Sequence, residues 1–132
     1  MTETLRAIPA LYMERFAAAY AAFLAAIRLA IDDVAHRRVP PPPNPADVLE
    51  WHKRLLPLLE SRFAAIEAAV EQFRAGDPAP IAHCALDASG LAKNLDGFSF
   101  AFAGPEHEQQ MKTLLGRIVL AAYPVYSSAG LS

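Results

Sequence analysis

The residues best able to bind a metal are a histidine and two carboxylates close to it in the sequence. His36 follows Asp32 by four residues and Asp33 by three, so one helix face would present two ligands. A di-iron helical bundle requires Glu-x-x-His motifs on two helices and two further carboxylates, and the chain has no second motif of this kind. We therefore predict that an aspartate pairs with His36 near a solvated helix end, and that the protein holds no metal and no other cofactor.

Cys84 is the candidate nucleophile, because it is the single cysteine and has a histidine beside it. In an extended segment His83 and Cys84 would point to opposite faces, and no spacing brings His52 or His107 to the thiol. A lone cysteine beside small apolar residues is typical of a packed core. The six glycines form no phosphate-binding loop. We predict no catalytic residues and expect a protein that is not an enzyme; a metal- or thiol-dependent enzyme is the least favoured alternative.

Basic residues flank a proline-rich stretch and form a candidate anion-binding patch. The basic residues are Arg37 and Arg38 before the stretch and Lys53 and Arg54 after it, and the aromatic Trp51 joins them. If the flanking helices are antiparallel, all five residues meet at one end of the molecule, where an aromatic ring and four cations would suit phosphates or an acidic protein surface. Neighbouring carboxylates and the net charge of -2 oppose this interpretation. Contact with a nucleic-acid backbone is therefore the alternative function.

The apolar pattern predicts a first helix from about Pro9 to Arg38. Its apolar residues recur at alternating spacings of three and four, as in helices packed at a shallow angle. The 12 residues from Phe16 to Ile27 include no charge, so this helix should be covered on more than one side. A membrane span needs about 20 apolar residues, so we predict no membrane association.

A second helix is predicted from Pro45 to Ala75, with Gly76 ending it in a left-handed conformation. The connection 39–44 contains four consecutive prolines, and a link this short and stiff makes the two helices antiparallel neighbours. Pro57 lacks the N–H of an intrahelical hydrogen bond, and we expect it to kink the second helix.

Residues 77–104 allow two interpretations. A strand over 81–86 paired with 98–102 fits the alternation of phenylalanines, but isolated hairpins are marginal. We favour a short helix over 86–95 followed by an extended aromatic segment that lies on the bundle.

These elements define an all-α, bundle-like fold with a long antiparallel αα-hairpin, a third helix and a short fourth segment. The third helix is predicted from Pro105 to Tyr123, with Pro124 closing it. The 27 alanines favour helices and most prolines mark helix ends. We expect a single domain over residues 1–132. One cysteine cannot form an internal disulfide, and the first residues lack the pattern of a signal peptide, so a cytoplasmic location is expected.

The apolar helix surface exceeds what three helices of these lengths would bury, which indicates a function in association. We predict a homo-oligomer or a small subunit that docks onto a protein partner in a larger complex. The residues expected to form the partner-binding apolar face are Phe16, Tyr20, Phe23, Ile27, Phe98, Phe100 and Phe102. The alternative is that residues 81–103 fold back and cover this face within the chain.

Overall fold

The computed structural model describes residues 8–36, 54–96 and 104–131, and within these ranges it contains four helices and no strand. In chain order the helices are α1 (Ala10–Ala35), α2 (Leu56–Arg74), α3 (Ala79–Leu95) and α4 (Pro105–Ser128). The prediction of an all-α, bundle-like fold is confirmed. In the described ranges, no helix is long and apolar enough to cross a membrane.

The four helices form a ring in which each helix packs mainly on its two neighbours. Arg28 late in α1 contacts Glu60 early in α2, so these two helices are antiparallel, as the short connection predicts. Asp33 near the end of α1 contacts His107 in the first turn of α4, so this pair is antiparallel as well. The fold is an up-down-up-down bundle, and α4 closes it against α1.

The core lies along the axis of this ring, and α1 provides its largest side chains. Phe16, Tyr20 and Phe23 are at most 1% exposed, and burial of such a side chain stabilises the fold by about 1.5–3 kcal/mol. Helix α3 contributes mostly small residues, which allow its neighbours to approach closely. The buried alanines of α3 are Ala82, Ala85, Ala88 and Ala92.

A tight turn joins α2 to α3 and contains the predicted left-handed glycine. Gly76 has a φ of 101°, a region that glycine enters without steric cost. The backbone N–H of Asp77 donates to the carbonyl of Gln72 at 2.9 Å, which satisfies the end of α2. The Asp77 side chain then accepts a hydrogen bond from the N–H of Ala79 at 3.1 Å. One short segment therefore ends α2 and starts α3.

The predicted short fourth segment is a full helix, α3. The predictions of a strand over 81–86 and of a helix limited to 86–95 are wrong. Helix α3 has 17 residues and begins at Ala79. Pro80 lies in its first turn, where the missing N–H costs no hydrogen bond. The apolar residues that resembled a strand recur at helical spacing and face the core. The residues of the predicted aromatic segment, 98–102, lie outside the described ranges.

Two prolines differ from their predicted roles. Pro57 lies in the first turn of α2, after a wider π-type turn at Arg54 and Leu55. A kink at Pro57 is expected for a helix that begins at Pro45. Residues 45–53 lie outside the described ranges, so the kink stays a prediction. Pro124 does not close the last helix, because α4 continues to Ser128. Pro124 has no N–H to donate to the carbonyl of Leu120. Leu120 is 75% exposed, so water reaches this side of the helix.

Candidate interaction surface

The predicted partner-binding residues of α1 lie inside the bundle. Phe16, Tyr20, Phe23 and Ile27 are 0–1% exposed, because the other three helices enclose this face of α1. The Tyr20 hydroxyl donates to the backbone carbonyl of Leu59 at 2.9 Å, and its ring stacks on Phe63 at a centroid distance of 6.0 Å. No partner can reach these four side chains in the folded chain, so we do not retain them as partner-binding residues. The cover comes from within the chain, but chiefly from α2 and α4 and not from residues 81–103, to which the alternative prediction assigned it.

The remaining predicted site residues lie mostly outside the described ranges. Those outside are Phe98, Phe100 and Phe102 of the apolar face, together with Arg37, Arg38, Trp51 and Lys53 of the basic patch. Arg54 is the one member of the patch that the structure describes, and it is exposed ahead of α2. Contact with nucleic acid through this patch therefore stays a prediction.

Tyr20, Arg62 and Cys84 meet in a small cavity between α1, α2 and α3. The cavity encloses about 40 Å³, which is space for water and not for a substrate. Burial raises the pKa of the Cys84 thiol, and the positive charge of Arg62 offsets part of this effect. Because the thiolate is the nucleophilic form, this environment opposes nucleophilic chemistry at neutral pH.

Arg62 links α2 to α3 on the surface beside this cavity. Its guanidinium forms an ion pair with Asp87, which joins the two helices. Arg62 Nε and the Ser89 hydroxyl in α3 are buried without a hydrogen-bond partner among the described residues.

Two of the three described histidines, His36 and His107, pair with aspartates, and His83 is exposed on α3. His36 Nδ1 lies 3.0 Å from Asp32 Oδ1, as the i,i+4 spacing predicts. His107 Nε2 lies 3.0 Å from Asp33 Oδ2, and both side chains are mostly buried. Among the described residues, no three His, Cys, Asp or Glu side chains are grouped to hold a metal ion. The Asp33–His107 pair fastens α4 to α1, a long-range contact that no local spacing in the sequence indicates.

The outer face of α1, opposite the core, is apolar and exposed. It consists of Leu11, Ala18, Ala22, Ala25 and Leu29. These residues lie within a narrow angular range when α1 is viewed down its axis at 3.6 residues per turn. The two leucines at its ends are 50% and 52% exposed. A surface helix normally turns charged and polar residues to water, so this face departs from the usual pattern.

A groove runs between α1 and α4 beside the outer face of α1. Tyr12, Arg15 and Ala19 of α1 and Arg117, Leu120 and Pro124 of α4 line it. Its volume is about 320 Å³, and its lining contains two arginines and no carboxylate. We refer to it as the α1–α4 groove. No sequence pattern indicates this groove, because its two walls are about 100 residues apart in the chain.

A second groove lies on the other side of α4. It has a volume of about 480 Å³ and lies between α3 and α4, with Lys93, Asp96 and Lys112 on its walls. Leu120 lines both grooves, so it forms an exposed ridge between them. Tyr123, one turn further along α4, is 59% exposed. The outward side of α4 is therefore apolar at its centre and cationic at its flanks.

Comparisons of the chain with protein-family models, with curated proteins and with solved structures find no match.

Proposed function

We propose that this protein is a non-enzymatic association subunit that binds a second copy of itself, or a larger protein assembly, through the outer face of α1. The observation that carries the proposal is the exposure of this apolar face on a helix whose opposite face already forms the core. Removing apolar surface from water supplies about 25 cal/mol per Å², so an uncovered apolar helix face favours association.

The small side chains of this face support contact with another helix. Ala18, Ala22 and Ala25 project little from the backbone, which permits an interaxial distance near the short end of the 8–10 Å range. Between Arg15 and Arg28 the helix has no charge that an interface would have to desolvate. Arg28 is already paired with Glu60 at 2.7 Å, so it adds no unpaired charge to the rim of this face.

The test is the molar mass of the purified protein in solution, measured by size-exclusion chromatography with light scattering over a wide concentration range. We expect a mass above that of the monomer, and a lower mass for Ala25→Lys, which places a charge in the centre of the face. Ala68→Lys is the matched control, because Ala68 is exposed on α2, away from this face. Both variants should keep the circular dichroism of the parent protein.

Two results together would overturn the proposal. The protein would be a strict monomer at every concentration, and pulldown would find no partner that is lost with Ala25→Lys and kept with Ala68→Lys. The same holds if Ala25→Lys and Ala68→Lys lower the mass equally, since the effect would then not arise from the outer face of α1.

A further inference from the structure

Within the described ranges, the two arginines that lack a partner both lie in the α1–α4 groove. Of the six arginines in the described ranges, Arg28, Arg62 and Arg74 form ion pairs with carboxylates of Glu60, Asp87 and Glu71. Arg54 also has an interaction partner. Arg15 and Arg117 have none among the described residues, and they line the same groove from opposite walls.

Among the described residues, no carboxylate lines the groove that holds the two arginines. From residue 109 to the end of the sequence the chain has no aspartate or glutamate, so most of α4 carries only Lys112 and Arg117 as charged residues. Two cations in such a position attract anionic groups from outside the chain.

The apolar lining of the groove selects an occupant with apolar side chains as well as carboxylates. Ala19, Leu120 and Pro124 present apolar surface between the two arginines. Leu120 is the most exposed large apolar residue in the described ranges, at 75%. A concave apolar strip between two helices fits the apolar stripe of a third helix, whose side chains at i, i+3, i+4 and i+7 would enter it.

We propose that the α1–α4 groove binds an acidic amphipathic helix of a partner protein, with leucine-type side chains over Leu120 and carboxylates on Arg15 and Arg117. A nucleic acid would need more phosphate contacts than two cations beside apolar side chains provide. A membrane surface is broad, whereas this site is a groove between two helices. The inference uses a surface different from the outer face of α1, so it does not require self-association.

The experiment measures binding of a fluorescein-labelled peptide by fluorescence anisotropy. The peptide has about 18 residues, with leucines at i, i+3, i+4 and i+7 and glutamates on both flanks of the leucine stripe. In a second peptide lysines replace the glutamates. We expect the acidic peptide to bind more tightly than the basic one, and its affinity to fall as salt is added.

Variants of the protein locate the binding site. Arg15→Glu combined with Arg117→Glu should weaken binding of the acidic peptide by about tenfold or more, since two attractions become repulsions. Leu120→Ser should weaken it by about five- to tenfold through loss of apolar contact. Arg74→Glu is the matched control on α2, diagonally across the ring from α4, and should leave the affinity unchanged. Exposed positions are chosen throughout, and circular dichroism melts verify that each variant folds.

Several results would overturn the inference. These are equal affinity for the acidic and basic peptides, unchanged affinity in the double arginine variant, and binding to phosphatidylglycerol vesicles without binding to the acidic peptide. A loss of oligomer mass in the double arginine variant would assign the groove to a second copy of the chain and overturn it too. Ala25→Lys separates the two proposals, because it should change the oligomer mass while leaving peptide affinity unchanged.

Discussion

The α2 side and the α4 side of the bundle both present arginines to water, but they differ in how these charges are satisfied. On the α2 side Arg28, Arg62 and Arg74 each contact a carboxylate, and two of these pairs join α2 to a neighbouring helix. On the α4 side Arg15 and Arg117 flank an apolar groove without a partner in the described ranges. The arginine charges on the α2 side are therefore neutralised by carboxylates of the chain itself, whereas among the described residues those on the α4 side are not.

Two leucine truncations test the contrast with the largest expected effect. Leu59→Ala, at a buried position on the inner side of α2, should destabilise the fold by about 2–5 kcal/mol through lost apolar contact and the remaining cavity. Leu120→Ala, on the outward side of α4, should change stability by less than about 0.5 kcal/mol. Urea unfolding followed by circular dichroism measures both. Similar losses for the two variants would show that Leu120 is packed and would remove the basis of the contrast.

Alkaline pH should weaken the contact between α1 and α2 through Tyr20. Burial raises the pKa of Tyr20 to about 12, and the charge of Arg62 offsets part of this effect. The unfolded chain loses this proton near pH 10 while the folded chain keeps it, so stability falls as the pH rises from about 10 to 12. The expected loss is about 2–3 kcal/mol at the upper limit of this interval.

Tyr20→Phe isolates this effect from other groups that titrate at alkaline pH. At neutral pH the variant loses the hydrogen bond to Leu59, which costs about 1 kcal/mol. Its stability should then depend less on pH between 10 and 12 than that of the parent chain, as measured by urea unfolding at several pH values. Parallel curves for the two proteins would contradict the assignment to Tyr20.

The smallest expected effect compares one arginine from each side. Arg62→Gln removes the ion pair with Asp87 and should cost up to about 1 kcal/mol, less at high salt. Arg117→Gln removes no ion pair of the described structure and should leave the melting temperature unchanged within error. A clear loss of stability in Arg117→Gln would mean that this residue has a structural role in the isolated chain.

Sequence reasoning succeeded where the controlling interactions are local. The spacing of apolar residues in α1, the left-handed Gly76 and the i,i+4 pair of Asp32 and His36 all depend on a few neighbouring residues. Helix α3 is longer than predicted, because its alanines are equally compatible with a short helix beside extended chain. Pro124 was misjudged, since a proline can remain inside a helix where water reaches the carbonyl that loses its donor.

The interaction surface could be predicted only in part. The uncharged stretch of α1 is visible in the sequence, and its need for cover on more than one side follows from periodicity. Which side the chain covers for itself depends on how α2, α3 and α4 are arranged. The α1–α4 groove has no sequence pattern, because it arises where two helices from opposite parts of the chain are brought together.

The closure of the ring by α4 has a consequence for folding. Three of the four helix interfaces join helices that are consecutive in the chain: α1 with α2, α2 with α3, and α3 with α4. The fourth interface, between α1 and α4, closes a loop that comprises most of the chain. Loop closure carries an entropic cost, and contacts distant in sequence lower the folding rate. Opening of the seam between α1 and α4 would leave the contacts between consecutive helices in place. A partner held across this seam would suppress that opening and raise the stability of the whole chain by mass action.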